Sequence, residues 1–245
     1  MTQPDAYDRI GVTYAELRKP DPRIGAYIHA ALGDARSVLN LGAGSGSYEP
    51  ADRDVTALEP SAEMIGQRPA SAPRAVQGCA ENLPFPDKSF DASMAVLTVH
   101  HWTDQGRGMA EMRRVTRGSI VILTYDPMFR DFWLLDYFPE LASLDDEQMP
   151  RMEAYAKWLG AARISTVPIP HDCIDGFLAA YWRRPDSYLD PHIRSGMSSF
   201  WKIGDVSAGL DQLAKDLRSG AWAKKYGGLL EQETRDCGYR LVISP

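Results

Sequence analysis

The sequence predicts an α/β protein built on a doubly wound parallel sheet, and three observations carry that prediction. Short apolar runs of strand length recur at Val38–Leu41, Val55–Pro60, Phe90–Leu97 and Ile120–Tyr125. Stretches of helical spacing separate them, and strands alternating with helices imply a parallel sheet. The first run ends in three glycines at alternate positions, Gly42, Gly44 and Gly46, and the second ends in an acid, Glu59. In open sheets of this kind ligands bind beyond the carboxyl ends of the strands, where both features fall.

Composition sets the bounds. A chain of 245 residues, 44% hydrophobic and 24% charged, suits one globular domain with an insertion or a small cap. The formal net charge is -6 and the sequence pI about 5.4. No basic run offers an electrostatic footprint for nucleic acid, so nucleic acid is not an expected partner. Cys79, Cys173 and Cys237 are far apart. With no CxxC and no Cys/His cluster, no metal site is expected, and the odd count argues against a disulfide framework. The start has no basic region followed by an apolar core, and no stretch reaches the length of a membrane span. A cytoplasmic protein without a membrane partner is the expectation; the oligomeric state is left open.

The elements follow in order. Tyr7, Ile10, Tyr14 and Leu17 share one helical face over 5–18, and Tyr14 and Arg18 would let this arm fold over a ligand. Asp21 and Pro22 read as N-cap and first position of a second helix, which Gly33 ends. After the glycine loop and the second strand, Pro60 stops the strand and Ser61 caps a helix holding Met64 and Ile65. Ala75–Gln77 is a weak third strand, and 78–86 a loop. Phe90–Leu97 is the fourth strand, with His100 and His101 just past its end. A helix over 106–117 turns Met109, Met112 and Val115 inward, and Ile120–Tyr125 is the fifth strand.

Beyond it, five aromatics fall within 126–140. A helix is expected over 145–160, a sixth strand over Arg163–Ile169, and an aromatic helix over Ile174–Tyr188. An amphipathic helix over 205–225 and a last strand over Gly238–Ile243 complete the chain. The two aromatic stretches would flank the ligand site and suit a small, partly hydrophobic or aromatic molecule.

Four pieces, in this order and spacing, resemble the class I S-adenosylmethionine-dependent methyltransferases, in particular the small-molecule, ubiquinone-biosynthesis-like branch of methyltransferase type 11. They are Leu-Gly-Ala-Gly-Ser-Gly at 41–46, Leu-Glu-Pro-Ser at 58–61, Ala-Glu-Asn-Leu-Pro-Phe-Pro with Ser-Phe-Asp within 80–91, and His-His-Trp at 100–102. The nicotinamide fingerprint G-x-G-x-x-G does not fit, because position 47 is serine.

The resemblance implies a Rossmann-like, seven-stranded, mostly parallel sheet with the last strand antiparallel beside the sixth, plus a helical cap insertion. It divides the single domain into a helical arm at 1–34 and a cofactor-binding core at 35–125. Segments within 126–205 would include a substrate lid, and 206–245 would supply the last helix and strand. It implies S-adenosyl-L-methionine as cofactor, with Gly42, Ala43, Gly44 and Gly46 along its methionine part and Glu59 on the ribose hydroxyls beside Pro60. Met64 would pack on the adenosine, Ala80 and Glu81 would lie in the loop passing the adenine, and Ala95 and Val96 would flank the sulfonium; Tyr14 and Arg18 would close from the arm. Two positions depart from the family's pattern: Asn40 and Cys79 stand where Asp is common.

Methyl transfer from a positive sulfur needs an in-line nucleophile and positioning. An oxygen nucleophile must also lose its proton, for which histidine is suited near neutral pH. His100, His101 and Asp126 are therefore the expected catalytic residues, with Asp126 orienting an imidazole from the adjacent strand. The expected reaction is O-methylation of a small molecule. The alternatives are N- or C-methylation, or a protein that binds the cofactor without transferring methyl, the reading that Cys79 favours.

Overall fold

The structure is a computed structural model, and it describes residues 16–245. The expected helix at 5–18, with Tyr14, lies almost wholly outside the described residues. The strands that build the main sheet begin with β1 (Ser37–Leu41), β2 (Asp54–Glu59), β3 (Ala75–Gln77), β4 (Ala92–Val96) and β5 (Ile120–Tyr125). They continue with β6 (Arg163–Thr166); β7 (Ile169–Pro170) and β8 (Thr234–Arg235) form a separate small pair, and β9 (Tyr239–Ser244) returns to the main sheet. The sheet order is β3-β2-β1-β4-β5-β9-β6. Within this sheet only the described pairings of β9, with β5 and with β6, are antiparallel. This is the seven-stranded, Rossmann-like architecture expected from the sequence, with its last strand reversed.

The register explains why the site forms at one edge. Leu41 lies opposite Leu58 and Ala95, so Gly42, Glu59 and Val96 leave the sheet side by side. Tyr125 lies opposite Tyr239, which brings the start of β9 to the same edge as the end of β5. Every residue of β5 is buried, as a strand covered on both faces requires. Its side chains alternate: Val121, Leu123 and Tyr125 join a core with the first described helix, α1 (Pro22–Ala31), and the aromatic segments. Ile120 and Ile122 join the opposite core with Met109, Met112, Val115 and Tyr155. The carbonyl edge of the sheet is thus held between two packed layers.

Local chemistry sets the helix starts, at Asp21 and Ser61 as expected. Asp21 accepts a hydrogen bond from the Arg23 amide at the head of α1, with Pro22 at its first turn. Ser61 does the same for Met64 in α2 (Ala62–Gly66), and Asp104 for Arg107 in α3 (Gln105–Val115).

Four expectations are corrected, each at a proline or a glycine. The helix expected over 145–160 is two helices, α4 (Glu140–Gln148) and α5 (Met152–Leu159). Pro150 separates them, and the residue before a proline is driven out of helical angles: Met149 has ψ 132°. The sixth strand does not run to Ile169. Pro168 has no amide to donate, and the chain leaves β6 at Thr166 and starts β7 at Ile169. The aromatic helix over Ile174–Tyr188 is two short 3₁₀ turns, Leu178–Tyr181 and Pro185–Leu189. Its aromatics are core all the same, with Trp182 and Tyr188 fully buried. Two short helices follow, α6 (Pro191–Ser195) and α7 (Ser198–Lys202). The helix over 205–225 breaks into α8 (Ser207–Ser219) and α9 (Ala221–Tyr226) at Gly220, whose φ is 76°. Among the described residues no helix is long and apolar enough to cross a membrane.

Candidate functional site

The glycine loop is built by close approach. Gly42, Gly44 and Gly46 have φ of 63°, 52° and 100°, the left-handed region that favours glycine. A Cβ on Gly42 would lie 2.0 Å from Thr98 Oγ1, so the loop runs directly against the turn after β4. A Cβ on Gly44 would lie 3.4 Å from the Met64 methyl.

Glu59 ties this loop to β2. Its Oε2 accepts from the Gly44 amide at 2.8 Å and its Oε1 from the Ser61 amide at 3.0 Å. Burial raises the carboxyl's pKa, and the two backbone donors together with Arg68 oppose the rise. A carboxylate has about four acceptor positions, so one on each oxygen is left for a diol. The residues present therefore fit a ribose beside a glycine-lined cradle.

Two residues that the sequence did not single out complete the cradle. Glu49 and Arg68 form a buried ion pair at 2.7 Å. Asn40 donates its side-chain amide to Glu49 Oε1 at 3.0 Å, and Arg68 donates to the Gly44 carbonyl at 3.3 Å. The carboxylate that Asn40 lacks is supplied by Glu49. Neither residue belongs to a motif, so only tertiary contact reveals them.

Around the expected adenine side, Ala80 is buried and Cys79 is exposed. Burial, with Glu81 and Glu59 nearby, raises the Cys79 thiol's pKa. Glu81 turns its carboxylate away to the start of α3, accepting from the Thr103 amide at 2.7 Å, the Thr103 hydroxyl at 2.8 Å and the Asp104 amide at 3.2 Å. The Pro60 carbonyl accepts from Gln77 at 3.0 Å. Ala95 is fully buried within β4 and Val96 partly buried at its end.

Past β4 the backbone turns sharply. Leu97 has φ 51°, unusual for leucine, and the following 3₁₀ turn, Val99–His101, sets the two imidazoles side by side, centroids 3.9 Å apart and planes tilted by 50°. They open into a small cavity of about 60 Å³ whose other polar walls are Arg18, Tyr125, Asp145, Ser198, Ser199 and Tyr239, with Met149 and Phe177 among its apolar walls. Burial lowers the His100 pKa to about 3, with Lys202 and Arg18 adding to it. His101 is pushed well below the usual range by burial, then by His100 and the same two cations. Both imidazoles are therefore neutral at physiological pH.

Asp126 does not line this cavity. Its carboxylate accepts from the Met128 amide at 3.0 Å and lies 3.7 Å from Arg240. The proximity of strand ends brings Asp126 to the right edge, but β9 inserts Arg240 beside it. The acid in the cavity is Asp145 on α4, 8% exposed. Burial raises its pKa from 3.8 to about 7, with Arg130 opposing and Asp146 adding. It was hidden in sequence within the acidic run Asp145-Asp146-Glu147, which reads as solvated surface.

Arg18 reaches the cavity and is held there. Its Nε donates to Asp175 Oδ1 at 2.6 Å, and the Tyr48 hydroxyl donates to Asp175 Oδ2 at 2.7 Å. Asp175 is 1% exposed, so a buried carboxylate joins the tail of the glycine loop to the arm.

A larger cavity, about 380 Å³, opens between 130–136 and 225–235. Its charges pair among themselves, Arg235 with Asp131 at 2.8 Å and Asp136 with Lys225 and Tyr226. No residue of the four sequence motifs lines it, and the candidate site is the smaller cavity with the adjoining cradle.

Comparison with known proteins identifies the family. A family model for a methyltransferase domain matches residues 39–123. The chain is 35% identical over 210 residues to the malonyl-[acyl-carrier protein] O-methyltransferase of Pectobacterium atrosepticum, covering 81% of this chain and 74% of that one. It is 28% identical over 121 residues to the 2-methyl-6-phytyl-1,4-hydroquinone methyltransferase of Spinacia oleracea. That match covers 48% of this chain, which spans only 34% of the spinach protein and 26% and 27% of its two rice counterparts. Among solved structures, a protein described as a methyltransferase from an antibiotic biosynthesis pathway of Anabaena variabilis superposes with a TM-score of 0.85. It is 34% identical, covering 94% of this chain and 99% of that one.

Proposed function

We propose that this chain, which belongs to the S-adenosyl-L-methionine-dependent methyltransferases, moves the cofactor's methyl group to an oxygen of a small, partly hydrophobic or aromatic acceptor. The observation that carries the reading is the cavity beside the glycine cradle, in which His100, His101, Tyr125 and Asp145 face Met149 and Phe177. A few convergent polar groups in an apolar wall are what a small acceptor requires. At about 60 Å³ the cavity accommodates the reacting end of an acceptor. The Pectobacterium relative, an O-methyltransferase by name, supports oxygen as the methylated atom.

The cofactor supplies an electrophilic methyl group on a positive sulfur. Gly42, Ala43, Gly44 and Gly46 would hold its methionine part, and Glu59 its ribose hydroxyls beside Pro60. Met64, Ala80, Ala95 and Val96 would make the apolar contacts. Glu81 would act indirectly, since its carboxylate fastens α3 to the loop. The neutral imidazoles of His100 and His101 each offer a donor or an acceptor to the incoming hydroxyl and would orient it. Arg18, fixed by Asp175, closes the cavity from the arm side. Positioning of this kind supplies most of what methyl transfer needs.

Incubation with methyl-labelled cofactor and a metabolite extract tests the reading. A labelled product whose methyl carbon resonates as a methoxy group is expected. An N- or C-methyl product would move the reaction to another atom, and cofactor binding without any labelled product would leave a binding protein.

A further inference from the structure

Asp145 is the acid of this cavity, and the roles given above leave it unused. It sits at 8% exposure on α4. Its neighbour Asp146 takes the nearby cation, Arg130, in a two-point contact at 2.9 Å and 2.9 Å. The Asp145 carboxyl itself makes no hydrogen bond or ion pair with any other described residue. A carboxyl removed from water and left without a donor is costly, and the open space in front of it is the acceptor cavity. The break at Pro150 ends α4 just past this residue and sends Met149 into the same cavity wall.

We infer that the Asp145 carboxylate is the hydrogen-bond and proton acceptor for the methyl acceptor's hydroxyl, and that it selects acceptors presenting an O–H at that point. The inference rests on the methyl-transfer reading above and adds the destination of the proton. An oxygen lone pair forms the new bond to the methyl carbon as the carbon–sulfur bond breaks, its electron pair staying on sulfur as a neutral thioether. The hydroxyl proton passes to an Asp145 oxygen and leaves to water after product departs.

The surroundings favour Asp145 over the histidines for this task. From β5 it faces Tyr125, from β9 Tyr239, from the turn after β4 His100 and His101, and from the arm Arg18. Arg130 and Asp146 lie on its outer side, and Lys202 on α7 bonds to Gln148 at the end of α4. Burial dominates these influences and brings the carboxyl to about 7, where a proton acceptor is most effective at neutral pH. Imidazoles pushed far below neutral are poor proton acceptors.

The test uses 4-nitrophenol, whose ionisation is visible optically, on the full chain saturated with S-adenosylhomocysteine, for the wild type and Asp145→Asn. In the wild type, bound nitrophenol is expected to keep its protonated spectrum to higher pH than the free dye, because a second anion beside the carboxylate is disfavoured. Its affinity should then fall about tenfold for each pH unit once both groups are ionised. In Asp145→Asn the protonated band is expected to vanish as it does for free dye, with affinity held at high pH. Identical spectra and pH profiles in the two proteins, or no nitrophenol bound by the wild type while the homocysteine product binds, would overturn the inference. S-adenosylhomocysteine affinity, measured by calorimetry in parallel, should be equal in both. Its absence in both would instead overturn the cofactor reading on which this inference stands.

Discussion

Glu59 and Asp145 are both nearly buried carboxyls, at 7% and 8% exposure, and the protein treats them in opposite ways. Glu59, at the end of β2, receives two backbone amides before any ligand arrives. Asp145, in the segment past β5, receives none from the described residues. The first is a structural joint that a cofactor can also use. The second is a polar group whose partner must come from outside. The contrast holds for the surroundings too. Glu49, Arg68 and Asn40 bond to one another around the cradle, whereas the cavity at His100 is walled by aromatics held by ring contacts, Tyr125 on Tyr239 at 5.5 Å and Phe177 on Tyr239 at 4.7 Å between centroids. One half of the molecule is preorganised by hydrogen bonds, and the other by packing.

The largest expected effect tests the packing half. Trp182→Ala empties a fully buried site and should lower unfolding free energy by about 3–5 kcal/mol. Denaturant titration measures it, and S-adenosylhomocysteine affinity should be almost unchanged in the folded protein. A large loss of affinity would erase the division between the halves.

Asp145→Asn comes next, with the opposite sign. The native carboxyl, at about 7, holds its proton where the unfolded one, near 3.9, has lost it. Between these values the folded state binds more protons, so stability falls as pH rises through the window, and the full penalty applies above about 7. The asparagine variant should therefore be more stable by on the order of 2–4 kcal/mol above neutral pH, and by little below about pH 4. Thermal unfolding at the two ends of that window decides it; a pH-independent difference would show that the carboxyl is not buried as described.

Glu59→Ala should weaken S-adenosylhomocysteine binding by about 1–3 kcal/mol, the cost of leaving the Gly44 and Ser61 donors unpaired along with the lost diol contact. Calorimetry reads this directly, and unchanged affinity would remove Glu59 from the site. The smallest effect is expected at Gly220. Nothing lies within 4 Å of a Cβ there, and only φ 76° opposes one, so Gly220→Ala should cost about 1–2 kcal/mol. A stabilised variant would mean that α8 and α9 prefer to join into the single helix that periodicity alone suggests.

That last case shows why the two halves differ in how far the sequence reveals them. In the core, strand runs, caps and glycines are local signals, and Asp21, Ser61 and the alternation in β5 each act as their chemistry dictates. Glu59 is singled out in the sequence by its place at a strand end, and the structure bonds it to the glycine loop. Past β5 the apolar spacing is sound, since Trp182 and Tyr188 are core, but spacing does not report the breaks at Pro150, Pro168, Pro185 and Gly220. Asp145 is illegible for another reason: one turn of α4 inward rather than outward separates a solvated acid from a buried one, and only the tertiary fold, which sets it in the cavity that Tyr125 and Tyr239 also line, makes that choice. Asp126 fails as an imidazole partner because its neighbour Arg240 comes from a strand far along the chain.

The position of β9 also governs how the protein can be made. Its six residues pair with all six of β5, yet the aromatic segments and six of the described helices, α4 to α9, are synthesised between the two. During that interval Ile-Val-Ile-Leu-Thr-Tyr stands as an unpaired strand edge emerging from the ribosome, apolar and uncharged, the kind of segment that recruits other chains. Pairing over so long a separation is slow to form. The nascent chain's solubility therefore depends on how soon residues 239–244 reach that edge, and a substitution that weakens the pairing of β9 with β5 should lower the soluble yield more than any change at the glycine loop.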